Sequence, residues 1–262
     1  MILTHPSIDP IIFSISFFDI RWYSLAYILA FIIGLQLIKF FNKKINLKLT
    51  NKLIDDFFIW AVIGVIIGGR LGYVLFYQFK IFLTNPIQIL YIWEGGMSFH
   101  GGLLGIIIAT FIFTKLNNIN FFLLADLISL VAPIGLFLGR IANFINVELI
   151  GRVTEFPLAI IYPTIDNLPR HPSQLYEALF EGIILFIILV IISLKMKSRN
   201  NSGVVSAYFL IFYGLFRFLI EFLRQPDQHI GLFFNLFTMG QLLCIPFLFF
   251  GLILIFYKKK YV

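Results

Sequence analysis

Charge is what this 262-residue chain has least of. Asp, Glu, Lys and Arg make up 13% of it, against roughly 25% in an ordinary soluble domain. So little polar surface cannot cover a water-facing globule. With 60% hydrophobic residues, 18% aromatics and a mean hydropathy of +0.96, most side chains need lipid as their solvent, and the chain reads as a polytopic membrane protein. Cysteine is almost missing as well. The lone Cys244 excludes an intramolecular disulfide and any Cys-rich metal site, and its apolar run suits a small inert core residue. No H-E-x-x-H and no carboxylate cluster is present, so no metal and no cofactor is expected. Ser98 has no G-x-S-x-G elbow around it, which argues against a serine nucleophile.

Apolar windows of ~20 residues, enough to cross ~30 Å of hydrocarbon, fall at 16–41, 57–79, 97–114, 121–145, 176–194, 204–223 and 233–257. The fold class that follows is all-α, with seven transmembrane helices in a single integral-membrane domain over 1–262. The first window reads as a retained anchor, because no Lys or Arg precedes Arg21 and five lysines close it. Eleven of the twelve lysines fall on one side if the spans alternate; only Lys80 falls on the other. By the positive-inside rule that side is cytoplasmic, which places the N-terminus outside and the C-terminus inside. The net charge of +7 is thereby accounted for without nucleic acid.

The arginines distribute differently. Only Arg199 sits with the lysines, while Arg21, Arg70, Arg140, Arg152, Arg170, Arg217 and Arg224 lie within spans or toward the outer face. A guanidinium grips phosphate or carboxylate bidentately and stays charged, which suits an anion site. Acidic residues share that side, so internal salt bridges are the other reading. Glycines four apart, at Gly64, Gly68 and Gly72, at Gly101 and Gly105, and at Gly135 and Gly139, predict close helix packing. A loop at 146–175 carries Pro157, Pro163, Pro169 and Pro172 among apolar residues and predicts a partly ordered external lid.

Three clusters can carry chemistry. Trp93 to Gly105 places His100 between glycine pairs, where a base with a reference pKa near neutrality is closely approachable; a membrane-interface histidine bonded to a neighbouring helix is the alternative. Gly139 to Arg152 holds Arg140 and Asn143 three apart on one helical face, with Glu148 beyond. An intramembrane arginine costs ~2.5–3.5 kcal/mol unless paired or facing a cavity, so either a functional site or a structural Arg–Glu pair is expected. Tyr213, Arg217, Glu221 and Arg224 form a polar stripe on the sixth span, with an Arg217–Glu221 bridge expected. Tyr27, deep in the first span, needs a partner for its hydroxyl, and His171-Pro172 reads as a helix start.

The runs GRIANFINVELIGR (139–152), GGMSFHGGLLG (95–105), HPSQLYE (171–177) and YGLFRFLIEFLRQPD (213–227) resemble those of bacterial prolipoprotein diacylglyceryl transferases, over nearly the whole chain. The resemblance implies a multi-pass enzyme of the bacterial inner membrane. Such an enzyme moves the diacylglyceryl group of phosphatidylglycerol to the lipobox cysteine of a prolipoprotein signal peptide and releases glycerol 1-phosphate. Its partners are then that lipid, that peptide and the surrounding membrane lipid. Carried over by position, Arg140 matches the family's phosphatidylglycerol-binding arginine; Tyr27, His100, Asn143, Glu148, Gly151 and Arg217 match functionally important positions. The implied roles are catalytic for His100, Arg217, Glu148 and Tyr27 and substrate-binding for Arg140, Asn143 and Gly151. Ala142 and Val147 stand where the family usually has glycine. A helix accepts Ala142 readily, whereas Val147 is strained if the turn out of the span needs positive φ. The rival class is a transporter or flippase for an anionic solute or lipid. It should place its charges near the midplane with access from both sides, rather than outward as His100, Arg140 and Arg152 are placed here.

Overall fold

A computed structural model describes residues 3–15, 18–91, 95–195, 202–226, 233 and 236–259. Trp93, Glu94, Lys197, Arg199 and Asp227, all singled out by the sequence, lie outside them. Among the described residues, six helices are long and apolar enough to cross a membrane: Trp22–Lys44, Asn51–Tyr77, Phe99–Leu116, Phe121–Ile145, Ser173–Lys195 and Met239–Tyr257. Val204–Ile220 is a shorter apolar helix. The architecture is helical, with a few short strands. Lipid-facing composition shows in the exposed Ile63, Ile67, Phe111, Phe249 and Phe250.

The described residues pack as two compact units, one of Met1–Asn46 with Asp126–Val262 and the other of Leu47–Ala125. In the second unit α2 (Asn51–Tyr77) starts at Thr50, whose side chain accepts from the Leu53 amide. The short helix α3 (Phe79–Thr84) and a 3₁₀ turn at Pro86–Leu90 follow, then α4 (Phe99–Leu116). The glycine ladder joins α2 to α4 as expected. A Cβ on Gly64 would sit 2.7 Å from that of Ala109, and one on Gly72 would sit 2.7 Å from the Gly101 Cα. Arg70 on α2 is buried and donates to the carbonyls of Ile89 (2.9 Å), Gly95 (2.5 Å) and Gln88 (2.6 Å). Among the described residues it has no ion-pair partner, and it clamps Gln88, Ile89, Gly95 and Gly96 onto α2. Ser98 caps α4 by accepting from Gly101 at 3.2 Å, a structural role.

In the first unit the chain opens with β1 (Leu3–Thr4) and a hairpin of β2 (Ile11–Ile15) and β3 (Phe18–Arg21). The hairpin takes up the start of the first apolar window, so α1 runs Trp22–Lys44 rather than from residue 16. The loop at 146–175 is ordered, as its apolar composition predicts. It contains β4 (Ile160–Ile161), which pairs in parallel with β1 and antiparallel with β5 (Pro169–Arg170). Then come α6 (Ser173–Glu177), a π-helical segment Ala178–Ile184 and α7 (Leu185–Lys195), which form one continuous span. Helix α8 (Val204–Ile220) begins at Gly203 with φ +100°, where the Asp126 carboxylate accepts from the amides of Gly203 and Ser206 at 2.6 and 2.7 Å. A carboxylate at a helix N-terminus satisfies orphan donors and faces the positive end of the macrodipole. Helix α9 (Met239–Lys259) starts later than the apolar window because Thr238 and Gln241 form a reciprocal capping box. Cys244 on α9 is buried and bonded to the Gly240 carbonyl.

Candidate active site

Helix α5 (Phe121–Ile145) carries Arg140 and Asn143 and ends in a left-handed turn. The Glu148 amide bonds the Asn143 carbonyl (2.9 Å) and the Val147 amide bonds that of Phe144 (3.1 Å). This is the paired pattern of a Schellman cap, in which glycine usually occupies the left-handed position. Here Val147 holds it with φ +56°, and Leu149 also has φ +55°. The turn does require positive φ, and a β-branched residue supplies it against its steric preference.

The turn delivers Glu148 to solvent with its carboxylate fixed. Asn143 donates to Glu148 Oε2 at 2.8 Å and to the Tyr23 hydroxyl at 3.1 Å. Two side chains at the start of α6 secure the backbone: Gln174 bonds the Glu148 carbonyl at 2.5 Å and Ser173 that of Leu149 at 2.7 Å. The HPSQLYE segment is thus a helix start whose first polar residues also hold the turn. Tyr27, half exposed on α1, lies tilted against Tyr23 with ring centroids 5.5 Å apart.

Arg140 does not pair with Glu148. Its Nε lies 3.1 Å from Glu177 Oε2 and its Nη2 3.2 Å from Glu181 Oε2, and its Nη1 has no ion-pair partner among the described residues. Arg217 meets Glu177 in a short contact, Glu181 at 3.8 Å and Glu221 at 2.7 Å. The expected Arg217–Glu221 bridge is therefore present. Arg224 approaches Glu177 at 3.8 Å. Three arginines and three glutamates thus form one buried network, with Glu177 and Glu181 fully enclosed. Taking charges out of water costs several kcal/mol per ion, which attraction offsets only in good geometry. The salt-bridge reading holds for Arg140, Arg217 and Arg224.

Glu177 closes the HPSQLYE run but carries no assigned role in the sequence reading, and Glu181 lies outside every quoted motif. Their signal was there, as two carboxylates four apart in an otherwise apolar span, which is unusual unless they face a partner. They lie in and beside the π-helical segment, a form frequent at functional sites. Glu221 also accepts from Thr238 at 3.1 Å, tying the cap of α9 to the network. Arg224 is not carried by α8, which ends at Ile220. It is placed by a β-bridge to Gly151, where a Cβ would lie 2.6 Å from that of His171 and 2.9 Å from the Leu223 carbonyl oxygen. Gly151 therefore permits the approach that sets Arg224.

In the loop at 146–175, Arg170 donates to Asp166 Oδ2 at 2.6 Å and to Gln225 at 2.5 Å. The Arg170 guanidinium holds the Asp166 carboxyl below the usual range, and partial burial lowers His171. Arg152 donates to the Arg224 carbonyl at 3.0 Å. His100 belongs to the second unit, exposed in the first turn of α4 with its ring edge-on to Phe99 at 5.6 Å.

A family profile described as prolipoprotein diacylglyceryl transferase matches residues 10–257. Proteins named phosphatidylglycerol–prolipoprotein diacylglyceryl transferase from Rickettsia felis and Rickettsia conorii are each 51% identical over 253 residues, 97% of this chain and 98% of theirs. The counterpart from Rickettsia bellii strain OSU 85-389 is 49% identical over 253 residues, 97% of this chain and 96% of its own. With a profile match this long and identity near one half over almost the full length, the chain belongs to the prolipoprotein diacylglyceryl transferase family.

Proposed function

We propose that the chain transfers the diacylglyceryl group of phosphatidylglycerol to the cysteine thiol of a prolipoprotein lipobox and releases glycerol 1-phosphate. The observation that carries this reading is the buried pair of guanidiniums, Arg140 and Arg217, in a chain of this family. A C–S bond forms at the glyceryl carbon that bears the phosphate ester, the C–O bond to phosphate breaks, and the leaving phosphate takes the electron pair. A cysteine with pKa ~8.5 is mostly protonated at neutral pH, so the thiol proton has to be removed. His100 is the proposed base. Arg140 is assigned to the lipid phosphate, with Nη1 as its uncommitted edge, and Arg217 to the same phosphate or its growing charge. Asn143 and Glu148, bonded to each other, are assigned an orienting role, with Tyr27 near Tyr23 and Gly151 setting the Arg224 backbone.

The same proposal places all of 1–262 in one transferase domain of the bacterial inner membrane, with the N-terminus and the loop at 146–175 outside and the C-terminus cytoplasmic. Val204–Ile220 is the seventh crossing. At about 1.5 Å per residue its 17 residues reach roughly 25 Å, and the turn at 221–224 supplies the remainder. Purified chain with phosphatidylglycerol and a lipobox peptide should yield a thioether-linked diacylglyceryl peptide and glycerol 1-phosphate in equal amounts. Lipid translocation with the peptide unmodified would favour a flippase instead.

A further inference from the structure

We infer that His5 is a positioning residue for Glu148, acting by holding the left-handed turn at Val147; this rests on the transferase reading above. The His5 imidazole is buried, far in sequence from the turn but directly behind it. Its Nε2 lies 3.0 Å from the Phe144 carbonyl oxygen, the same oxygen that accepts from the Val147 amide. Its Nδ1 accepts from the Ser7 amide at 3.2 Å, which leaves the ring's proton on Nε2 and makes Nε2–H the donor to Phe144. The ring is also clamped on two sides, stacked on Tyr162 at 5.4 Å and edge-on to Phe144 at 4.8 Å. The strand backbone adds a third restraint, because the His5 amide donates to the Ile161 carbonyl at 2.8 Å.

The turn needs such support because of what occupies it. Glycine takes positive φ with no steric conflict, whereas Val147 at +56° sets its branched Cβ against its own backbone. Residues held in sparsely populated conformations persist when their surroundings over-determine them. Gln174 and Ser173 hold the turn from its far side, at the carbonyls of Glu148 and Leu149. On the near side, His5 is the side chain bonded to the cap's carbonyl. If it lets go, the Val147 amide competes alone for Phe144 and the turn relaxes toward negative φ. Glu148 then leaves Asn143 Nδ2, with which it is now paired at 2.8 Å. The need for His5 therefore depends on the residue at 147.

That dependence is the test. Transfer from phosphatidylglycerol to a lipobox peptide is measured for the parental chain, His5→Ala, His5→Gln, Val147→Gly and the double variant His5→Ala/Val147→Gly. Hydrogen exchange is followed at the 147 and 148 amides in each. His5→Ala is expected to lower kcat about tenfold at nearly unchanged KM for the peptide, and to speed exchange at both amides. His5→Gln, whose amide can reach the same carbonyl, should recover most of the rate. Val147→Gly alone should keep the parental rate, and the double variant should fall within about twofold of it. A double variant as slow as His5→Ala, or His5→Ala with unchanged exchange at 147 and 148, would overturn the inference. If the parental chain transfers nothing while the exchange pattern follows expectation, the positioning role stands and the transferase reading fails.

Discussion

Glu177 touches Arg140, Arg217 and Arg224, so the balance of the buried network turns on one carboxylate. Glu177→Gln leaves three guanidiniums facing two glutamates. Removing one partner of a buried pair typically costs about 3–5 kcal/mol, and thermal unfolding in detergent should register a loss of that order. Arg140→Lys separates binding from folding. It keeps the positive charge beside Glu177 and Glu181 and membrane insertion, so a purely structural role would show in thermal stability rather than in lipid KM. A phosphate bonded to Nη1, while Nε and Nη2 hold Glu177 and Glu181, loses its charge-assisted bond when a single ammonium must serve all three. At ~1.5–3 kcal/mol per charge-assisted bond, kcat/KM for the lipid should drop roughly tenfold or more at near-normal expression. His100→Gln keeps hydrogen bonding and removes the titratable base. General-base catalysis contributes about 10²–10⁴, so turnover should fall by that range while phosphatidylglycerol binding persists. Full activity with an unaltered pH profile would instead assign thiol activation to the arginines. At this scale the sequence exposed Arg217–Glu221, whose spacing of four is a local property. It did not expose the partners of Arg140, because Glu177 and Glu181 are distant in sequence and reach it only through tertiary packing. Arg70 was legible as a buried charge but not in its role, since backbone carbonyls leave no signature in side-chain identity.

Among the elements, the glycine ladder between α2 and α4 gives the clearest contrast. A Cβ on Gly68 would lie 2.7 Å from the Gly105 Cα, whereas one on Gly139 meets nothing within 4 Å. Gly68→Val should therefore destabilise the protein by about 1–3 kcal/mol or more through overpacking. Gly139→Ala should stabilise α5 by about 0.4–1 kcal/mol through lost unfolded-state freedom and better helix propensity. Equal effects in a thermal melt would contradict the packing assigned to either helix. The same period-four pattern thus meant close approach in one place and open space in another. Periodicity fixes which residues share a face, not what that face meets. Helix boundaries slipped for similar reasons. An apolar run can be strand or helix, and the first window divides between the β2–β3 hairpin and α1. The last window loses its first residues to the Thr238–Gln241 cap. The pairing of β1 with β4 joins residues about 157 positions apart and depends on register set by the whole loop.

For the molecule as a whole, composition alone placed most side chains in lipid, and six long apolar helices agree. Orientation rests on the lysine asymmetry, so it is tested by sidedness. Asn167→Cys in the loop should react with an impermeant thiol reagent in intact cells, and Asn200→Cys, beyond the described residues, should be protected. Catalysis should follow the same asymmetry. The most direct measurement uses sealed right-side-out membrane vesicles bearing the chain, with a soluble lipobox peptide added only to the outside medium. The account predicts glycerol 1-phosphate in that medium and an equal amount of thioether-linked diacylglyceryl peptide held in the outer leaflet by its two acyl chains, and roughly tenfold less of each when Arg140 is replaced by lysine at limiting lipid. Modification confined to inside-out vesicles would contradict the outward site, and phospholipid transfer across the bilayer with the peptide unmodified would contradict the reaction itself.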